Sequence, residues 1–97
     1  MNAPAEFEWD AHKAATNMAK DGVAFEAIEA LYADPERVIV DTSRHADDEP
    51  RFKLIAQIEG RLFTAVCTMR GAACRVISLR RANFPEERIY GHGPLQA

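Results

Sequence analysis

The sequence predicts an α+β fold in which two N-terminal helices pack on a four-stranded antiparallel sheet, with a short C-terminal helix closing the chain. Three observations carry this expectation. Apolar residues recur at helical spacing between Ala11 and Tyr32. After Asp34-Pro35 the period changes to alternation, which marks the start of a sheet. Two alternating runs then meet at Glu59-Gly60, a two-residue hairpin turn.

In chain order, Phe7-Glu8-Trp9 reads as a short strand or an extended lead into the first helix. Asp10 is a good N-cap, Ala11, Ala14, Ala15 and Met18 form a small apolar stripe, and Gly22 stops the helix. Lys13, Asn17 and Lys20 fall on a separate polar face. A second helix over about 24–33 turns Phe25, Ile28, Leu31 and Tyr32 inward and ends at Asp34-Pro35, where proline prevents continuation. Val38-Ile39-Val40 is a strand, and the polar stretch from Asp41 to Pro50 is the longest loop.

The Glu59-Gly60 turn sets a register in which Ile58 opposes Arg61, Ala56 opposes Phe63, Leu54 opposes Ala65 and Phe52 opposes Cys67. That register gathers these apolar residues on one face and sends Arg51, Lys53, Thr64, Thr68 and Arg70 to the other, expected to meet solvent. The last strand, about 73–81, has an arginine on each face. Core packing favours Ile77 and Leu79 inward, which puts Ser78 and Arg80 beside Arg51 and Arg70 and leaves Arg75 and Arg81 at the rim of the apolar face. Pro85 suits the first turn of a closing helix through Tyr90, ended by Gly91. One domain is expected over residues 1–97, frayed at 1–5 and 92–97.

An apolar fraction of 47% with 28% charged residues is that of an ordinary globular chain. Apolar runs are far shorter than the ~20 residues of a membrane-spanning helix, and no secretory leader pattern opens the chain, so a cytoplasmic protein without membrane contact is expected. Cys67 and Cys74 lack metal-ligand or redox-motif spacing and read as reduced strand residues. His12, His45 and His92 are scattered, so neither a zinc site nor another cofactor is expected.

The charge is split between the halves. Residues 1–50 carry twelve Asp and Glu against four Lys and Arg, whereas residues 51–97 carry three against eight. An arginine-rich half points to a partner with planar, multiply charged oxygens, of which phosphate is the commonest. RNA can be cleaved without a metal when its own 2′-hydroxyl attacks the adjacent phosphate. Such a site needs cations for the phosphorane and groups for two proton transfers. Arg51, Arg70 and Arg80 suit the electrostatic role, His45, Glu49 and Tyr90 the proton transfers, and Lys13, Lys20, Lys53 and Arg81 the binding of RNA. Each also has a plain structural reading. The cations suit a solvated surface, His45 an ordinary loop, and Tyr90 an anchor for the last helix.

Several separated motifs resemble the BrnT toxins of bacterial type II toxin–antitoxin systems. They are Phe7-Glu8-Trp9-Asp10, Lys13, Asn17, Lys20, Gly22-Val23 and Phe25-Glu26, then Asp34-Pro35, Glu49 with Arg51, Gly60-Arg61, and Thr68 with Arg70. Arg75, Val76-Ile77-Ser78, Arg80-Arg81-Ala82 and Glu87-Arg88 with Tyr90 complete a match over about residues 6–90. The chain departs from the pattern at Asp21 (usually histidine), Ala24 (usually serine), Cys67 (usually tyrosine) and Leu79 (usually a small residue).

The resemblance implies a RelE-like fold and an endoribonuclease that inhibits growth, and the absence of metal-ligand spacing in the chain makes metal-independent cleavage the expectation. The resemblance also implies neutralisation by a BrnA-like antitoxin, in an assembly of two toxins and two antitoxins that touches DNA only through the antitoxin. Two rival readings stand beside it: a catalytically silent module of the same fold that binds antitoxin or nucleic acid, and an adaptor domain whose charges are merely surface.

Overall fold

Asp10 begins the first helix as expected: its carboxylate accepts the Lys13 N–H at 3.0 Å, and Gly22, at φ 71°, ends it by donating its N–H to the Met18 carbonyl. The computed structural model describes residues 4–44 and 49–92. Its elements are β1 (Glu6–Trp9), α1 (Ala11–Asp21), a 3-10 turn (Phe25–Ala27) running into α2 (Ile28–Tyr32), β2 (Val38–Asp41), β3 (Arg51–Ile58), β4 (Arg61–Arg70), β5 (Ala73–Arg81) and α3 (Phe84–His92).

The fold is α+β, but the sheet has five strands and is mixed, in the order β1-β5-β4-β3-β2. Strands β2 to β5 form the expected antiparallel meander, and β1 adds to β5 in parallel, with Phe7 opposite Cys74 and Trp9 opposite Val76. The segment before α1 is therefore a strand rather than a lead-in. Its partner lies across nearly the whole chain, with no turn to announce the pairing. Phe7 and Trp9 hold it in place, Phe7 packing 5.4 Å from the Tyr32 ring and Trp9 edge-on to Phe25 at 6.1 Å.

The expected hairpin register is observed residue for residue. Glu59 and Gly60 both take positive φ, 51° and 80°, as the tight turn requires. One sheet face packs Leu54, Ala56, Ala65, Cys67, Cys74, Val76 and Leu79 against Phe25, Ile28, Leu31 and Tyr32, and this is the core. Both cysteines are buried free thiols.

Strand β5 departs from the sequence reading. Val66 pairs with Ser78 but Cys67 pairs with Val76, so Ile77 is an extra residue in a β-bulge. The bulge resets the alternation. Val76 and Leu79 face the core in place of Ile77 and Leu79, and Arg75 opposite Thr68 moves to the far face.

The second helix is shorter than expected and starts as a 3-10 turn. Ala24 has N-cap geometry (φ −81°, ψ 140°) but no side chain to accept the exposed N–H groups. Ala24→Ser should supply that acceptor and raise stability by about 1 kcal/mol. A shift of the urea midpoint at constant m-value would register it.

Candidate active site

The far face of the sheet follows directly from the register. Arg51, Lys53 and Ile55 on β3 alternate with the core residues. They sit opposite Thr68, Val66 and Thr64 on β4, which in turn oppose Arg75, Ser78 and Arg80 on β5. With Arg70 one step further along β4, five cations share this face: Arg51, Lys53, Arg70, Arg75 and Arg80.

The face is not simply solvated, because α3 covers one end of it. Glu86 is only 1% exposed and organises that end. Arg80 grips its carboxylate with two parallel N–H bonds of 2.8 Å, Lys53 Nζ donates at 3.0 Å, and the Thr64 hydroxyl donates at 2.8 Å. The same carboxylate accepts the Asn83 N–H at 2.9 Å, while Asn83 Oδ1 accepts the Glu86 N–H at 3.0 Å; the two residues thus form a capping box at the start of α3. Burial pushes the Glu86 carboxyl upward, but the bonds from Arg80, Asn83, Lys53 and Thr64 outweigh it and hold the group well below the usual carboxylate range. Glu86 stays charged, and Arg80 and Lys53 are fixed at the edge of the open surface.

At the other end Arg70 makes a bidentate pair with Glu49, at 3.0 and 3.1 Å, in the open. The Arg70 hydrogen bonds keep Glu49 ionised below its ordinary value. Arg75 donates to Glu8 of β1 at 3.0 Å. Arg51 and Asp41 also help line an apolar cavity of about 710 Å³ with Tyr32, Ile39, Phe52 and Met69.

The β5 edge carries a second feature. Strand β1 stops at Trp9 opposite Val76, so the backbone of Leu79 lacks a strand neighbour on that side. The side-chain amide of Asn17 takes that place: Nδ2 donates to Leu79 O at 2.7 Å and Val23 O at 3.1 Å, and Oδ1 accepts the Leu79 N–H at 3.2 Å. Asn17, read from sequence as part of a polar helix face, is buried and docks α1 on the sheet. The docking opens a groove of about 470 Å³ between α1 and β5, lined by His12, Lys13, Lys20, Asp21, Ser78 and Arg80 among others.

The structure thus brings Lys13 and Lys20 together with Arg80 in one groove, and Arg80 with Lys53 on Glu86. Glu49 and Arg70 form a separate pair. Two expected residues lie apart from these clusters. The Tyr90 hydroxyl donates to Asp34 at 2.8 Å, and burial together with that carboxylate raises it to about 12. Asp34 also accepts the N–H groups of Glu36 and Gln57, which makes Tyr90 a tie between α3 and the end of α2. Arg81 lies over the Phe63 ring at 5.5 Å, at the rim of the core face where sequence placed it. His45 lies outside the described residues. Sequence reasoning left Glu86, Arg75 and His12 out of the candidate site, although the Asn-x-x-Glu of a capping box was a signal for Glu86 and Arg75 stood in the closing motif.

Among the described residues no three His, Cys, Asp or Glu side chains converge as metal ligands, and no helix is long and apolar enough to cross a membrane. No curated protein matches the chain. A family model, described as the ribonuclease toxin BrnT of type II toxin–antitoxin systems, matches residues 9–86, a span that runs from the end of β1 through the groove and the basic face to Glu86. With most of its length matched, the chain belongs to the BrnT family of ribonuclease toxins.

Proposed function

We propose that this toxin cleaves RNA on the far face of its sheet, without a bound metal ion, by directing the substrate's 2′-hydroxyl onto the neighbouring phosphate. The observation that carries this reading is the grouping of Arg51, Lys53, Arg70, Arg75 and Arg80 on one face, with Lys13 and Lys20 flanking Arg80 across the groove. Arginine forks match phosphate oxygens, and cations held in advance by Glu86, Glu49 and Glu8 need little reorganisation as phosphorane charge develops. Arg51, Arg70 and Arg80 stabilise that charge, Lys13, Lys20 and Lys53 hold flanking phosphates, and Glu49 holds Arg70 in place until substrate arrives. Tyr90 serves α3 rather than the chemistry.

As a type II toxin the protein works with an antitoxin. A BrnA-like partner, two copies of each chain in the complex and DNA contact through the antitoxin alone complete the proposal, all within the cytoplasm. Part of the antitoxin interface lies on the acidic helical half. Glu26 and Glu29, both exposed, are suited to a basic segment. Inducing the toxin in a bacterial host should arrest growth and fragment RNA, and supplying the antitoxin should reverse both. Charge reversal at Glu26 and Glu29 should weaken that rescue and leave cleavage by the free toxin unchanged.

One observation favours a second reading, a module that only binds. Lys53 and Arg80, Arg70, and Arg75 each already pair with a carboxylate. Growth arrest with intact RNA would select it.

A further inference from the structure

We infer that His12 is the group that takes the 2′-hydroxyl proton in this reaction, an assignment that rests on the ribonuclease reading above. His12 sits exposed in the first turn of α1 and lines the same groove as Lys13, Lys20 and Arg80. A phosphate bound by those three cations would lie in the groove of about 470 Å³ that His12 also lines. Imidazole is the side-chain group best suited to exchanging protons near neutral pH. Among the described residues lining this groove, His12 alone provides one.

On the α1 side, the Asp10 carboxylate is held below the usual range first by the Lys13 N–H and then by the His12 N–H, with Arg75 on β5 adding to it, so it is committed to the start of the helix. Asp21 lines the groove and acts on the charge of Arg80. Lys13 and Lys20 from α1 and Arg80 from β5 supply the positive charge. Phosphate in the groove is therefore bound by the cations, while His12 stays available for the sugar.

In the step itself the 2′-O–H bond breaks and its proton passes to the unprotonated imidazole nitrogen. The 2′-oxygen bonds to phosphorus, the phosphorus–O5′ bond breaks, and the leaving oxygen takes a proton from water. The imidazolium then returns its proton to solvent. The products are a 2′,3′-cyclic phosphate and a free 5′-hydroxyl, with no change of oxidation state.

The test compares purified wild type with His12→Ala and His12→Gln on an RNA oligonucleotide across about pH 5 to 8, and on its uncleavable 2′-deoxy analogue. The expected result is a fall of about 10²- to 10⁴-fold in cleavage rate for both variants. Binding of the analogue should be unchanged, the acidic limb of the pH–rate profile lost, and activity of the alanine variant partly restored by free imidazole. His12 lies on an exposed turn, so both variants should keep the wild-type melting transition. Wild-type-like rates and profile in the variants would overturn the assignment and leave the ribonuclease reading standing. A rate loss matched by an equal loss of analogue affinity, without imidazole rescue, would make His12 only a binding contact and also overturn it. A wild-type protein that leaves the oligonucleotide intact would overturn both readings.

Discussion

Glu86→Ala should destabilise the protein by about 3 to 5 kcal/mol, because it leaves Arg80 partly and Lys53 largely buried beside an empty site and opens the capping box of α3. Glu86→Gln should cost less, since an amide still accepts from Thr64 or Asn83. Urea melts of the three proteins give the ranking, and a loss below about 1 kcal/mol for alanine, the size of a surface pair, would contradict the buried-hub description.

The pH dependence follows from the same carboxylate. Its folded value is depressed below the ordinary ~4.3 of an unfolded glutamate, so the unfolded chain binds the proton first as pH falls. The stability Glu86 supplies is complete above that unfolded value and is lost on acidification toward the folded one. Asp34 contributes with the same sign: burial opposes its charge, but the N–H groups of Gln57 and Glu36 and the Tyr90 hydroxyl win and lower it. Wild type should therefore weaken steadily below about pH 5, and Glu86→Gln should show a shallower slope.

Arg80→Lys should lower RNA cleavage by about 10²- to 10³-fold, the usual cost of removing one preorganised donor to a developing oxyanion, while the protein stays folded. Lysine keeps a charge for Glu86 but cannot supply the two-pronged grip seen at 2.8 Å. Arg70→Ala should produce a loss of similar size. It removes a side chain 49% exposed whose partner, Glu49, is open to water, so no folding defect should accompany it. Single-turnover rates alongside thermal melts separate the two effects. Folded variants that cleave at wild-type rate would make these arginines bystanders.

The sequence was most legible where local chemistry and long-range pairing coincide. Glu59-Gly60 demanded a tight turn, the flanking alternation had one consistent register, and the 51–70 hairpin followed. Asp10 and Gly22 likewise bound α1 because capping is a local property. Legibility failed where a partner is remote. Nothing near Asn17 shows that its amide would stand in for a missing strand beside Leu79, 62 residues away. Nor does Glu6–Trp9 reveal that it pairs in parallel with Ala73–Val76.

Strand β5 failed for another reason. Arginines at 75, 80 and 81 leave no clean polar face, so a bulge at Ile77 was invisible and Arg75 fell on the wrong side. The consequence for the site is concrete. Arg51, Lys53 and Arg70 were readable as one face from the hairpin alone, but the masking of Arg80 and Lys53 by Glu86, and the groove containing His12, depend on where α3 and α1 dock.

The central claim is that a cationic face cleaves RNA by using the substrate's own hydroxyl. Its most direct measurement incubates purified toxin with an RNA oligonucleotide in excess EDTA and identifies the new ends by mass spectrometry, with a single 2′-deoxy substitution at the cleaved position as control. Continued cleavage, a 2′,3′-cyclic phosphate and a free 5′-hydroxyl, and complete protection by the 2′-deoxy substitution are the predicted result. Loss of cleavage in EDTA with recovery on adding a divalent metal, or cutting of the 2′-deoxy substrate, would contradict it.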